Sequence, residues 1–117
     1  MSAPVSSIRN LGPATDAVYA RAGIHSAEAL RQLGSDGAYL QLLNRGGRPH
    51  FIGYYAMVMG LQGRPWNDCR GDEKKELRAR FDLIKARSKA YLKANPRQDD
   101  SSEIELFLNI IGTGTRR

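Results

Sequence analysis

Glycine recurs at Gly12, Gly23, Gly34, Gly46–Gly47, Gly60, Gly63 and Gly71, and the intervals between these breaks are short. Each glycine is a cheap place for a chain to leave a helix, and a costly one to keep in it. The five prolines, at positions 4, 13, 49, 65 and 96, fall at helix starts and in loops. Apolar residues between the breaks repeat at helical spacing, and no β alternation is found before residue 100. This punctuation restricts the chain to short helices joined by tight turns.

Val5, Ile8 and Leu11 belong to a first turn opened by Ser6 or Ser7. Pro13 suits the first position of a helix, where its missing N–H costs nothing. That helix carries Val18, Tyr19 and Ala22 and ends at Gly23, which fits the position after the last helical residue. Ser26 is a strong N-cap for the next helix, with Ala29, Leu30 and Leu33 facing inward. Gly34 stops it, and Ser35 opens another with Tyr39, Leu40, Leu42 and Leu43. Gly46-Gly47-Arg48-Pro49 is a loop. From His50 to Leu61 the chain is apolar on most sides, which marks a central core helix. A turn built around Trp66, read as a core anchor, leads to Asp72, expected to cap the longest helix, ending near Ala94 ahead of Pro96. Leu77, Phe81, Ile84, Ser88 and Tyr91 form one stripe of that helix, and Lys74, Arg78, Lys85, Lys89 and Lys93 form the next. The expected layout is a helical domain over 1–94, a polar linker over 95–102 and an apolar tail segment over 103–117. In the tail, Ile104, Phe107, Leu108 and Ile111 fit a helix, while Ile104, Leu106, Leu108 and Ile110 fit a strand; the helix is preferred.

The chain is long enough at 117 residues to bury a core without disulfides or metals. It has one cysteine, Cys69, no apolar run of membrane-spanning length and no secretory leader, so it reads as cytoplasmic and away from membranes. The formal net charge is +6, and its distribution is uneven. Residues 1–69 are net +2, residues 70–97 net +6, and residues 98–117 net −2. A polyanion such as DNA is therefore a permitted partner, against the plainer reading of a solvated basic face.

Ile8-Arg9-Asn10-Leu11-Gly12-Pro13-Ala14-Thr15 looks like the hairpin of a helix-hairpin-helix motif, in which a glycine lets the backbone approach a DNA phosphate. Arg9 supplies charge. Asn10 stands where a first glycine is common, and it tolerates a left-handed conformation. Ala22-Gly23-Ile24-His25-Ser26-Ala27-Glu28-Ala29-Leu30 looks like a second, degenerate unit. Both also read as purely structural hairpins. Six segments occur in one order: Leu11-Gly12-Pro13, Ala22-Gly23-Ile24, Glu28-Ala29-Leu30, Leu33-Gly34, Ala38-Tyr39-Leu40 and Leu61-Gln62-Gly63-Arg64-Pro65-Trp66. Together they resemble the C-terminal domain of the TfoX/Sxy family of bacterial competence regulators, over roughly residues 5–84. The resemblance implies an all-helical, helix-hairpin-helix-like unit tied to DNA uptake and transcriptional activation. In that family it often follows an N-terminal α/β domain, of which these 117 residues carry no counterpart. It implies no catalytic residues.

Other chemistry finds little support. His25, His50 and Cys69 are too few and too scattered for a metal site. Cys69 has no evident base and reads as a partly exposed, inert thiol. Gly46-Gly47-Arg48-Pro49 lacks the Lys and Ser/Thr of a phosphate loop. No nucleophile, base and oxyanion site can be assembled, so no enzyme, cofactor, metal or small-molecule substrate is expected. The expectation is an all-α compact bundle of five or six short helices, with a helix-hairpin-helix-like N-terminal half and a long basic C-terminal helix. Its function would be that of a non-enzymatic regulatory or accessory module contacting DNA through Arg9, Asn10, Gly12, Thr15, Lys74, Arg78, Lys85 and Lys89. The alternative is a protein-interaction or homodimerisation module that uses Phe81, Tyr91, Phe107 and Leu108.

Overall fold

The computed structural model describes residues 3–95. All regular structure among them is helical. The helices are α1 (Ala14–Arg21), α2 (Ala27–Asn44), α3 (Phe51–Leu61) and α4 (Gly71–Ala94). Short 3-10 turns stand at Val5–Ser7 and Trp66–Asp68. The expected five or six helices count as four, although Gly34 does break the helical path as expected, because the stretches on either side of it run on as one kinked element, α2. Gly34 has a φ of 79° and a ψ of 164°, and helix resumes at once on the far side. The tail segment with Phe107 and Leu108 lies outside the described residues.

The turn chemistry follows the residues. Gly23 takes a φ of 83°, and the Ile24 N–H returns to the Tyr19 carbonyl at 2.9 Å, closing the end of α1. Ser26 caps α2 by accepting the Ala29 N–H at 3.0 Å. The longest helix begins two residues earlier than expected, at Gly71, with Arg70 in the cap position. Asp72 is therefore no cap; with Glu73 it lies in the first turn, where carboxylates oppose the helix dipole.

Helix α3 is the core helix. Every residue from Tyr54 to Gly60 is buried. It packs against α2 and α4, which also pack on each other. Phe81 of α4 sits among the rings of Tyr39, Phe51 and Tyr54, with centroids 5.3–5.9 Å away. The Tyr39 hydroxyl donates to the His50 carbonyl and accepts the His50 N–H at 2.8 Å, fixing the entry to α3. Several apolar residues fall outside this core. Leu33, read as inward, is 43% exposed, and Ile52, in the apolar stretch of α3, is 61% exposed. Trp66 is 50% exposed and is no buried anchor: its 3-10 turn rests against α3, but half of the residue is left to solvent. Tyr54 and Tyr55 are both buried, and so is Cys69, whose thiol pKa is pushed up by burial, with Glu73 adding to the shift.

An ionic clamp ties α2 to α4. Arg80 Nε and Nη2 donate to the two Asp36 oxygens at 3.0 and 2.8 Å, and the Tyr54 hydroxyl donates to the same carboxylate. Burial alone would raise the Asp36 pKa; the hydrogen bonds from Arg80 and Tyr54 outweigh it and hold the carboxyl below its usual range. The clamp is therefore present at neutral pH and is lost as pH falls below about 4 through the native-state pKa. In acid melting curves, Asp36→Asn should flatten the loss of stability relative to wild type. Equal slopes for the two proteins would show that the pair adds no stability.

Candidate nucleic-acid interface

The hairpin residues are divided between structure and surface. Asn10 has a φ of 75° and is the non-glycine residue in the left-handed region among those described. It occupies the third position of a turn closed by the Leu11 N–H on the Ile8 carbonyl at 3.1 Å, where type II turns require such a φ. Its side-chain amide turns inward. Nδ2 donates to the carbonyls of Ala56 and Arg64, both at 2.9 Å, pinning the hairpin to α3 and to the loop behind it. The Thr15 hydroxyl donates to the Gly12 carbonyl. Asp16, in the first turn of α1, accepts the Ser6 N–H and hydroxyl at 2.8 and 2.7 Å and places a negative charge at that helix start. Of the four residues expected to meet DNA from the hairpin, Asn10 and Thr15 are engaged within the chain, while Arg9 and Gly12 stand exposed. The reason for Gly12 also changes. It is not at positive φ, and a Cβ there would meet nothing within 4 Å. The backbone freedom that the turn requires belongs to Asn10.

Replacing Asn10 with Ala should cost about 2–4 kcal/mol, from the loss of two hydrogen bonds and an unfavourable φ. Asn10→Gly should recover the φ part only. Chemical denaturation of the three proteins measures both parts, and an Ala variant as stable as wild type would contradict the pinning role of Asn10.

The basic face of α4 is built on aromatic rings. Lys74 Nζ lies 5.2 Å from the centre of the Tyr55 ring. Arg78 lies 5.1 Å from Phe51 and 5.4 Å from Phe81, and Lys85 Nζ lies 4.8 Å from Phe81. These cations cover the outer edge of the core cluster with their stems while the charged heads stay at the surface. Asp82 is the acid among them, 3.3 Å from Arg78 and 3.5 Å from Lys85. Lys89 borders a shallow apolar groove with Lys85, Leu43, Gly47, Pro49 and Leu92. The second helix of the hairpin does not touch this helix: α1 and α4 do not meet among the described residues, and α2 packs against both. The hairpin turn is linked to α4 through α3, with Asn10 bonded to Ala56 and Lys74 over the preceding Tyr55.

The expected partner residues separate likewise. Phe81 is 3% exposed and its ring is used inside the bundle, so it is a core residue and offers no surface to a partner. Tyr91, next in the same stripe, is 47% exposed. Three arginines passed over in the sequence, Arg21, Arg45 and Arg48, meet at one cleft beside Gly47. Arg21 comes from α1 and Arg45 and Arg48 from the loop after α2, so no local pattern could have grouped all three.

The loop after α3 is held by Arg64. Its guanidinium makes a two-pronged pair with Glu73, at 2.8 and 2.9 Å, and reaches Asp68 at 3.3 Å. The Arg64 hydrogen bonds draw the Glu73 carboxyl below its usual range. The Leu61–Trp66 segment is therefore a strap that positions the start of α4. Among the described residues no group of His, Cys, Asp or Glu is arranged to hold a metal, and no helix is long and apolar enough to cross a membrane.

A family model described as the TfoX C-terminal domain matches residues 1–81. No curated protein and no solved structure matches the chain.

Proposed function

The chain belongs to the TfoX C-terminal domain family, and from that premise we propose that it is a non-enzymatic regulatory module that holds the phosphate backbone of DNA on the basic face of α4. The observation that carries this reading is the row Lys74, Arg78, Lys85 and Lys89, three of whose members lie over the rings of Tyr55, Phe51 and Phe81. Ring contact orders these long side chains in advance, so less conformational freedom is lost when a phosphate arrives. Contacts of this kind give affinity without sequence discrimination. Arg9 and the open backbone at Gly12 add a second, smaller contact from the hairpin side. Because a Cβ at position 12 meets nothing within 4 Å in the folded chain, Gly12→Ala tests that contact with little disturbance of the fold.

A second reading, association with another protein or a second copy, is favoured by one patch. Leu83 is 54% exposed beside Leu40 and Gly37 of α2. It stands two residues before Lys85, about 200° around the helix. The two readings separate in one experiment. Neutralising Lys74, Arg78, Lys85 and Lys89 together should sharply weaken the binding of a labelled duplex and leave sedimentation unchanged. Leu83→Asp with Tyr91→Asp should do the reverse only if the protein-partner reading holds.

A further inference from the structure

The cleft between the end of α1 and the loop after α2 has a volume of about 330 Å³. Arg21, Arg45 and Arg48 line it, over a floor made by Val18, Ala22 and Leu42. No acidic residue among the described residues lines it. Its shape is set by two glycines that the geometry requires. Gly46 has a φ of 100°. A Cβ on Gly47 would sit 2.7 Å from Leu42 Cγ and 2.9 Å from the Leu42 carbonyl oxygen. The turn therefore clamps Leu42 in the floor and carries Arg45 and Arg48 on either side of the two glycines. The N–H groups of Gly46 and Gly47 are spent on the Leu43 and Leu42 carbonyls at 3.0 and 2.9 Å. The donors at this site are guanidiniums, not the backbone amides of a phosphate loop.

We propose that this cleft binds a compact organic phosphomonoester of mononucleotide size. The guanidiniums of Arg21 and Arg48, both exposed at the cleft, match a dianionic phosphate, which they grip through paired N–H donors, and Arg45 adds positive charge beside them. The apolar floor matches a flat, weakly polar body attached to it. The volume lies at the small end of ligand pockets, which suits one such molecule. A concave, apolar-floored site is less suited to a duplex, whose phosphates lie on an outward ridge. The site does not rest on the DNA reading: its charges come from α1 and the 45–48 loop, whereas the row proposed for DNA lies on α4.

The full chain is titrated with adenosine monophosphate, with adenosine and with inorganic phosphate, following the backbone amide resonances of Leu42, Gly46 and Gly47. The nucleotide should move these resonances and bind at least tenfold tighter than either fragment. Arg21→Gln and Arg48→Gln, both at exposed side chains, should each weaken it about tenfold with an unchanged melting temperature. Lys85→Ala should have no effect. Nucleotide binding no tighter than adenosine or phosphate, or insensitive to both arginine changes, overturns the proposal. So does a duplex that moves these same resonances where the nucleotide does not, since the cleft would then be a backbone contact. Loss of duplex binding by the α4 variant alone, with nucleotide binding intact, upholds the cleft whatever becomes of the DNA reading.

Discussion

Gly60→Ala should destabilise the protein by about 3 kcal/mol or more, at the upper end of what overpacking a core costs. In a domain of this size that lowers the melting temperature by more than about 12 °C. A Cβ on Gly60 would overlap the Arg9 carbonyl oxygen and stand 3.2 Å from Ile8 Cγ2. The nearest obstacle is backbone, so it cannot swing aside as a side chain would. The hairpin would have to lift from α3, and the Asn10 bonds to Ala56 and Arg64 would stretch with it. Gly53, in the same helix, is the control. Its nearest neighbour to an added Cβ is His50 Cβ at 3.8 Å, and the site is exposed. Gly53→Ala should therefore stabilise by about 0.5–1 kcal/mol through helix propensity and reduced freedom of the unfolded chain. Thermal melts of both variants check the pair. A mild Gly60→Ala effect would mean that the hairpin is not seated on α3 as described.

Those two glycines show what could be read from the sequence and what could not. Both stand in one apolar segment, and spacing marks both as small residues in the core helix. Only the fold shows that one faces the hairpin backbone and the other faces water. Local chemistry was legible wherever a residue acts on its own neighbours: Ser26 as a cap, Gly23 as a stop, and α3 as a helix apolar on nearly every side. The left-handed turn at Asn10 was also legible in kind, although the inward direction of its amide was not. Long-range partnerships left no trace. Asp36 and Arg80 are 44 positions apart, and nothing in either neighbourhood announces the other. Arg64 sits inside the segment that carries the family resemblance, but its pair with Glu73 depends on the path of the loop. Exposure was hardest to judge at large residues. Trp66 and Phe81 exchange the roles that size and position suggest, because the bundle closes over α4 at position 81 and leaves half of Trp66 outside.

The four α4 cations give the other large effect. Each phosphate contact releases about one counterion, so four contacts give a log–log salt slope near −3.6. Between about 50 and 200 mM salt the affinity should then fall about a hundredfold. Asp82 already neutralises part of this face through Arg78 and Lys85, so Lys74→Ala and Lys89→Ala should each flatten the slope more cleanly than the other two. All duplex sequences should weaken alike, since no base edge is read.

The most direct measurement is titration of a fluorescent duplex with the unmodified protein across this salt range, beside the variant with Lys74, Arg78, Lys85 and Lys89 changed to Ala. Wild type should bind with a slope of about −3 to −4, and the variant's slope should be shallower by about one unit for each phosphate it no longer holds. Absence of binding near 50 mM salt, or a slope that the four substitutions leave unchanged, would contradict the assignment of DNA to the basic face of α4.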